Sequence, residues 1–168
     1  MELRVEPMSD VLGARVTGID LRDGLDDATF AELRRIWLDH LVILLPGQDI
    51  SSEQQAAFAT GFGVLTTPRD SPPQSDDQPN SLLITNVKDT GMRTALEKDS
   101  MLFHTDGAYF EKPCLATLLY SIEASKTGGE TLLANCYDAY DALPDEMKLR
   151  IDGLTATNAF ATDKYNTR

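Results

Sequence analysis

The sequence predicts a mixed α+β domain, mainly β, and three observations carry that prediction. Short apolar stretches bounded by Gly and Pro recur along its 168 residues, as strands joined by turns do. Between them lie segments with apolar residues spaced by three and four, the signature of helices packed on one face. The balance of 42% hydrophobic to 25% charged residues is that of an ordinary globular chain, and at this length a core forms without disulfides or structural metal.

In chain order, residues 2–21 alternate loosely through Leu3, Val5, Ala14, Val16, Ile19 and Leu21, with Gly13 and Gly18 between, and read as short strands joined by turns. Asp26 or Asp27 can cap a helix whose Phe30, Leu33, Ile36, Trp37 and Leu41 form one apolar face. The run Leu41 to Leu45, ended by Pro46 and Gly47, reads as a strand buried on both faces. Ser51 and Ser52, followed three residues later by Gln54 and Gln55, both resemble capping boxes and open a helix that stops near Gly61 or Gly63.

The stretch from Thr66 to Asn80 holds four of the eight prolines and no aliphatic residue, so it reads as a mobile surface loop. Strand-like residues resume at Leu82 to Thr85, and a second loop, Lys88 to Ser100, follows. Leu115 to Ile122 reads as a strand, Lys126 to Gly129 as a hairpin turn, and Thr131 to Ala134 as the returning strand. A helix is expected within Asp138 to Gly153, started or restarted by Pro144 and ended by Gly153.

Charge narrows the function. Fifteen basic against 27 acidic residues leave a net charge of −12, which disfavours a nucleic-acid or anionic-membrane partner, since either demands a positive face. The longest unbroken apolar run, Leu41 to Leu45, cannot span a bilayer. The N-terminus has no apolar h-region of a secretory signal. Cys114 and Cys136 show no Cys-x-x-Cys spacing, so the chain is expected in a reducing cytoplasm with two buried thiols.

The chemistry-bearing motif is His104-Thr-Asp106. At i and i+2 both side chains leave one face of an extended segment, and together they are two thirds of the 2-His-1-carboxylate triad that holds iron(II) with positions left open. Spacing alone favours a hydrogen-bonded strand-end pair over a metal role. His40, the other histidine, closes an apolar-faced helix just before a strand, where a helix-terminal or packing role outweighs ligation.

The wider context changes that weighting. Phe103-His-Thr-Asp-Gly-Ala-Tyr-Phe110, Pro113, Ala116-Thr-Leu-Leu-Tyr120, Gly128-Gly-Glu-Thr131 and Tyr137-Asp-Ala-Tyr-Asp-Ala-Leu-Pro144 resemble, in order, the taurine dioxygenase family of Fe(II)/2-oxoglutarate-dependent oxygenases. Asp39-His-Leu-Val-Ile-Leu-Leu-Pro-Gly-Gln48 and Phe58 to Gly63 extend the match through the N-terminal half. The resemblance implies a double-stranded β-helix, the cupin-like jelly roll, with flanking helices. It implies His104 and Asp106 as catalytic iron ligands, and Thr131 as a hydrogen-bond donor to 2-oxoglutarate. Iron(II) is then the cofactor, with 2-oxoglutarate and O2 as co-substrates. Asn86 resembles a position near the substrate pocket, and as a strand-ending turn residue it has an equally good plain explanation. Gly128-Gly129 also suits a hairpin turn, and Thr131 a β-branched strand position.

The substrate is left open beyond a small, anionic molecule. Taurine-specific members carry a histidine and a tyrosine after the Phe-Gly turn, whereas here the chain reads Gly63-Val-Leu-Thr-Thr-Pro-Arg-Asp70. Arg69 could pair with an anion, but a lone Arg in a Pro-rich loop is more often simply solvated.

The family's distal histidine and its 2-oxoglutarate-binding arginine have no counterpart in this sequence. A jelly roll needs eight strands, or roughly 70 residues at ~5 per strand and ~4 per connection, and only 168 − 106 = 62 residues follow Asp106. Residues 1–168 therefore read as a single dioxygenase domain truncated at its C-terminus, with C-terminal strands missing. The rival reading is a catalytically inactive fragment or binding and assembly module, whose unfinished barrel exposes sheet edges and favours homo-oligomers.

Overall fold

A computed structural model describes residues 2–66, 80–81, 83–84, 94–95 and 103–158. Two strands come first, β1 (Arg4–Pro7) and β2 (Ala14–Thr17), then helix α1 (Asp27–His40) and strand β3 (Ile43–Leu44). Helix α2 (Ser52–Thr60) follows, then β4 (Leu83–Ile84), β5 (Thr94–Ala95), α3 (Cys136–Asp141) and α4 (Asp145–Ile151).

The first sheet runs β1-β2-β3. β1 and β2 are antiparallel, with Val5 opposite Val16, while β2 and β3 are parallel, with Ala14 opposite Ile43. A parallel neighbour needs a crossover, and α1 supplies it, making β2-α1-β3 a βαβ unit. Along β2 the side chains alternate: Ala14 and Val16 are buried and Arg15 is exposed. The buried pair meets Leu33 and Ile36 of α1, with Ile19 and Leu21 from the intervening loop. These six side chains are the core among the described residues.

Asp26 caps α1 by accepting from the Thr29 amide at 2.7 Å, which settles the choice between the two aspartates. The other apolar side of α1 packs on α2. Phe30 and Trp37 meet Phe62 at centroid distances of 4.9 and 5.4 Å, and Phe58 meets Phe62 at 5.5 Å, all edge to face. Gly61 lies so close to the Phe30 ring that no Cβ fits there. Of the two possible capping boxes the structure forms one: Ser51 N donates to Gln54 Oε1 at 2.8 Å, and Gln54 N donates to Ser51 Oγ at 3.3 Å.

Leu41 is the C-cap of α1 rather than the first residue of a strand. The Val42 amide donates to the His40 carbonyl at 2.7 Å across it, a γ-turn with Leu41 at φ 65° and ψ −31°, which is a strained backbone for a non-glycine. The strand beyond it is shorter than expected and is not buried on both faces. β3 has β2 as its one described ladder partner, so Ile43 packs on the core while Leu44 stays 46% exposed.

Beyond α2 several expectations change. Leu83–Ile84 pairs in parallel with Thr94–Ala95, so part of the expected loop 88–100 is strand β5. The rest of that loop, and the expected loop over 66–80 apart from Thr66 and Asn80, lie outside the described residues. Leu115 to Ile122 and Thr131 to Ala134 are not strands. Over 114–120 the burial still alternates, with Cys114, Ala116, Leu118 and Tyr120 half-buried and Leu115, Thr117 and Leu119 exposed, whereas Thr131 to Ala134 are all exposed. Alternation is a local property, but a strand also requires a hydrogen-bonded neighbour, and among the described residues none pairs with either segment. For the same reason helix outweighs strand among the described residues, against the expectation of a mainly β chain. The turn residues behave as expected: Gly128 and Gly129 have φ of 71° and 81°.

The expected C-terminal helix is two. Asn135 caps α3 by accepting from the amides of Tyr137 and Asp138. Pro144 then occupies the N-cap of α4, because it has no N–H to continue the previous helix and disfavours helical backbone in the residue before it. Gly153, at φ 72°, follows the end of α4.

Candidate metal centre

The site is built on the turn that follows Phe103. His104 and Thr105 lead into it, and the Ala108 amide donates to the Thr105 carbonyl at 3.4 Å, closing a turn with Asp106 and Gly107 at its corner. The geometry brings His104 Nε2 to 3.2 Å from Asp106 Oδ1. Both side chains remain open to solvent, at 61% and 52% exposure, so neither is walled off from an incoming ion. Tyr109 and Phe110 stack beside the turn at 4.6 Å.

The donor set fits a metal. Imidazole nitrogen and carboxylate oxygen are the ligand types of non-haem iron sites. Adjacent donors at right angles around an ion with bonds of about 2.1 Å lie about 3 Å apart, close to the 3.2 Å observed. Among the described residues no third His, Cys, Asp or Glu joins them in a group able to hold a metal ion. His40 is the last residue of α1, and its carbonyl accepts from the amides of Gly13 and Val42.

Thr131 is exposed and outside any helix or strand. A concavity of about 340 Å³ lies just before it, lined by Ser121 and the turn 124–130, and includes neither His104 nor Asp106. Asn86 and Arg69 lie outside the described residues. The expected pair of buried thiols is corrected: both cysteines are free, Cys114 half-buried and Cys136 exposed. Cys136 opens a short helix with no buried residue, whereas Cys114 is tucked against Gly107.

Two contacts that hold the site segment to the core have no signal in the sequence. The Tyr120 hydroxyl donates to the Gln48 carbonyl at 3.2 Å and accepts from the Ile50 amide at 3.4 Å. The Gln48 side chain in turn accepts from the Leu21 amide and donates to the Ile19 carbonyl, each at 3.0 Å. The segment after the turn is thereby bonded to the N-terminal sheet region. In the N-terminal region the Arg22 guanidinium holds the Asp20 carboxyl down to about 2, and the Thr29 amide lowers Asp26.

An exposed imidazole and carboxylate 3.2 Å apart on one turn make His104 and Asp106 a candidate metal-binding pair. The profile described as "Taurine catabolism dioxygenase TauD, TfdA family" matches residues 4–168. The chain belongs to this family. It is 32% identical over 155 residues to the (S)-phenoxypropionate/alpha-ketoglutarate-dioxygenase of Sphingobium herbicidovorans, covering 92% of this chain and 53% of that one. To the alpha-ketoglutarate-dependent 2,4-dichlorophenoxyacetate dioxygenase of Cupriavidus pinatubonensis it is 28% identical, covering 98% and 61%. The crystal structure of AAD-2 in complex with Mn(II) and N-oxalylglycine superposes with a TM-score of 0.61 at 26% identity, covering 89% of this chain and 49% of that one. The chain thus spans about half the length of these relatives. Among the described residues no helix is long and apolar enough to cross a membrane.

Proposed function

We propose that the chain carries the metal-binding turn of an Fe(II)- and 2-oxoglutarate-dependent dioxygenase that hydroxylates an unactivated C–H bond of a small, anionic molecule. The observation that carries this is the 3.2 Å approach of His104 Nε2 and Asp106 Oδ1 on an exposed turn, in a chain of the TauD/TfdA family. Both residues would hold the iron. When bound, the metal lets O2 and 2-oxoglutarate react so that one oxygen atom enters succinate, CO2 leaves, and the other oxygen enters the C–H bond.

The chain's own residues do the binding and orienting. His104 would ligate through the lone pair of a neutral ring nitrogen. Asp106 supplies the anionic charge that offsets a divalent ion. The Thr131 hydroxyl would donate to a 2-oxoglutarate carboxylate, adding a directed bond without adding charge, and Asn86 is the candidate substrate-binding residue. In this reading the domain is a double-stranded β-helix, the cupin-like jelly roll, with flanking helices. The two free thiols support a reducing, cytoplasmic setting.

In the full-length protein, His104→Ala and Asp106→Ala should each abolish iron-dependent 2-oxoglutarate decarboxylation while leaving the far-UV circular dichroism and melting temperature of the metal-free protein unchanged. Wild-type turnover in either variant would remove the pair from the mechanism. Succinate release against a panel of sulfonates, sulfates, phosphonates and aryloxy acids identifies the substrate. A second reading, an assembly module, is favoured by the exposed Leu115, Leu119, Ile122 and Leu132. It predicts concentration-dependent self-association of residues 1–168 in sedimentation, with no turnover by the full-length protein.

A further inference from the structure

We propose that Gly107 and Cys114 form a clamp that sets the direction in which Asp106 presents its carboxylate beside His104. The inference rests on the reading of His104 and Asp106 as metal ligands and adds two positioning residues to it. Asp106 and Gly107 are the central residues of the turn closed by Ala108 N and the Thr105 carbonyl at 3.4 Å. Gly107 has φ 64°, whereas Leu41 is the one described non-glycine with positive φ, so Asp106 has negative φ. Negative followed by positive φ is the type II pattern, whose second corner demands glycine. A second hydrogen bond, Phe110 N to the Gly107 carbonyl at 3.0 Å, locks the far side.

The space a side chain would need is already filled. A Cβ on Gly107 would lie 2.6 Å from Cys114 Sγ and 3.0 Å from Phe110 Cδ2. Cys114 opens the alternating segment that Tyr120 ties to Gln48 and Ile50. A bonded and packed path therefore runs from the N-terminal core through Tyr120 and Cys114 to the peptide joining Asp106 to Gly107. Displacing the backbone at Asp106, the first corner of the turn, moves its carboxylate relative to His104 Nε2, which lies two residues upstream.

The test titrates Mn(II) against the full-length protein, with free ion read by electron paramagnetic resonance and the melting temperature of the metal-free protein read in parallel. Gly107→Ala should weaken Mn(II) binding about 10- to 100-fold, the range seen when groups that orient ligands are lost, with the melting temperature little changed. Gly107→Ala combined with Cys114→Ala should recover part of that loss, and Cys114→Ala alone, which loosens the clamp without straining the turn, should weaken Mn(II) binding less than Gly107→Ala does. Mn(II) affinity in Gly107→Ala within about twofold of wild type, or a fall in melting temperature with affinity untouched, overturns the clamp. Should Gly107→Ala fail to fold, Cys114→Val decides, since it presses on Gly107 from the other side. Weakened binding in a folded Cys114→Val protein supports the clamp, and wild-type binding overturns it. Asp106→Ala is the control for the underlying reading: if it binds Mn(II) as wild type does, the metal site itself has failed along with the clamp. If it loses Mn(II) and Gly107→Ala does not, only the clamp has.

Discussion

His104 and Asp106 meet because one residue separates them and a turn begins at the second, so the backbone itself sets their 3.2 Å approach. Thr131 is different. Its hydroxyl lies 25 residues beyond Asp106 (131 − 106) in an exposed segment, and its proposed role needs long-range placement. Thr131→Val keeps the β-branched shape and deletes the donor. Its expected effect in the full-length protein is a loss of about 1.5 to 3 kcal/mol in 2-oxoglutarate binding, the worth of a hydrogen bond to a charged group, or roughly 10- to 150-fold in Kd. Calorimetric titration measures it, and an unchanged Kd assigns Thr131 to packing alone.

Helix α1 shows how an element is held at both ends. Asp26 accepts from the Thr29 amide at its start, while the γ-turn at Leu41 redirects the chain into β3 at its end. The cap lowers the Asp26 carboxyl below its ordinary value of 3.8. A group whose folded-state value is depressed stabilises the fold above the unfolded value, and that contribution fades as pH falls through the folded one. Asp26→Ala should therefore lower the melting temperature at about pH 7, and Asp26→Asn, which still caps, should lower it less. The difference between wild type and Asp26→Ala should shrink as the pH is taken below 3.8. Thermal melts across pH check this, and a difference that grows on acidification would contradict the cap.

For the molecule as a whole, the buried apolar set among the described residues is small and lies entirely in β2, α1 and the loop between them. Leu33 is its centre, with no exposed surface. Leu33→Ala should cost about 2 to 5 kcal/mol by lost transfer energy and residual cavity, which urea unfolding of the full-length protein measures as a lower midpoint. A loss below about 1 kcal/mol would mean that the site collapses freely around the smaller side chain. The outer residues of 103–154, among them Leu115, Leu119 and Leu154, stay exposed, so truncating them should alter stability far less than Leu33→Ala does.

What could be read from residues alone is what short-range chemistry decides. The periodicity of α1, the restart at Pro144, and the glycine turns at 128–129 all depend on atoms within a few residues, and so do the caps, which the sequence narrows to Asp26 or Asp27 and Ser51 or Ser52 and the structure assigns to Asp26 and Ser51. The His104-x-Asp106 spacing is legible in the same way, but the sequence reads it as an extended segment, whereas the structure puts Asp106 at the corner of a turn. Pairing is a different matter. The expected strand Leu115–Ile122 alternates as far as Tyr120 and Thr131–Ala134 is exposed throughout, and neither has a described partner, while Leu44 is exposed on the face of β3 opposite Ile43. Cys114 against Gly107, and Tyr120 on Gln48 across 72 residues, arise only when distant segments come together. The sequence specifies propensity and pattern locally, whereas burial, strand partners and the support of the metal turn depend on which remote surfaces the folded chain places in contact.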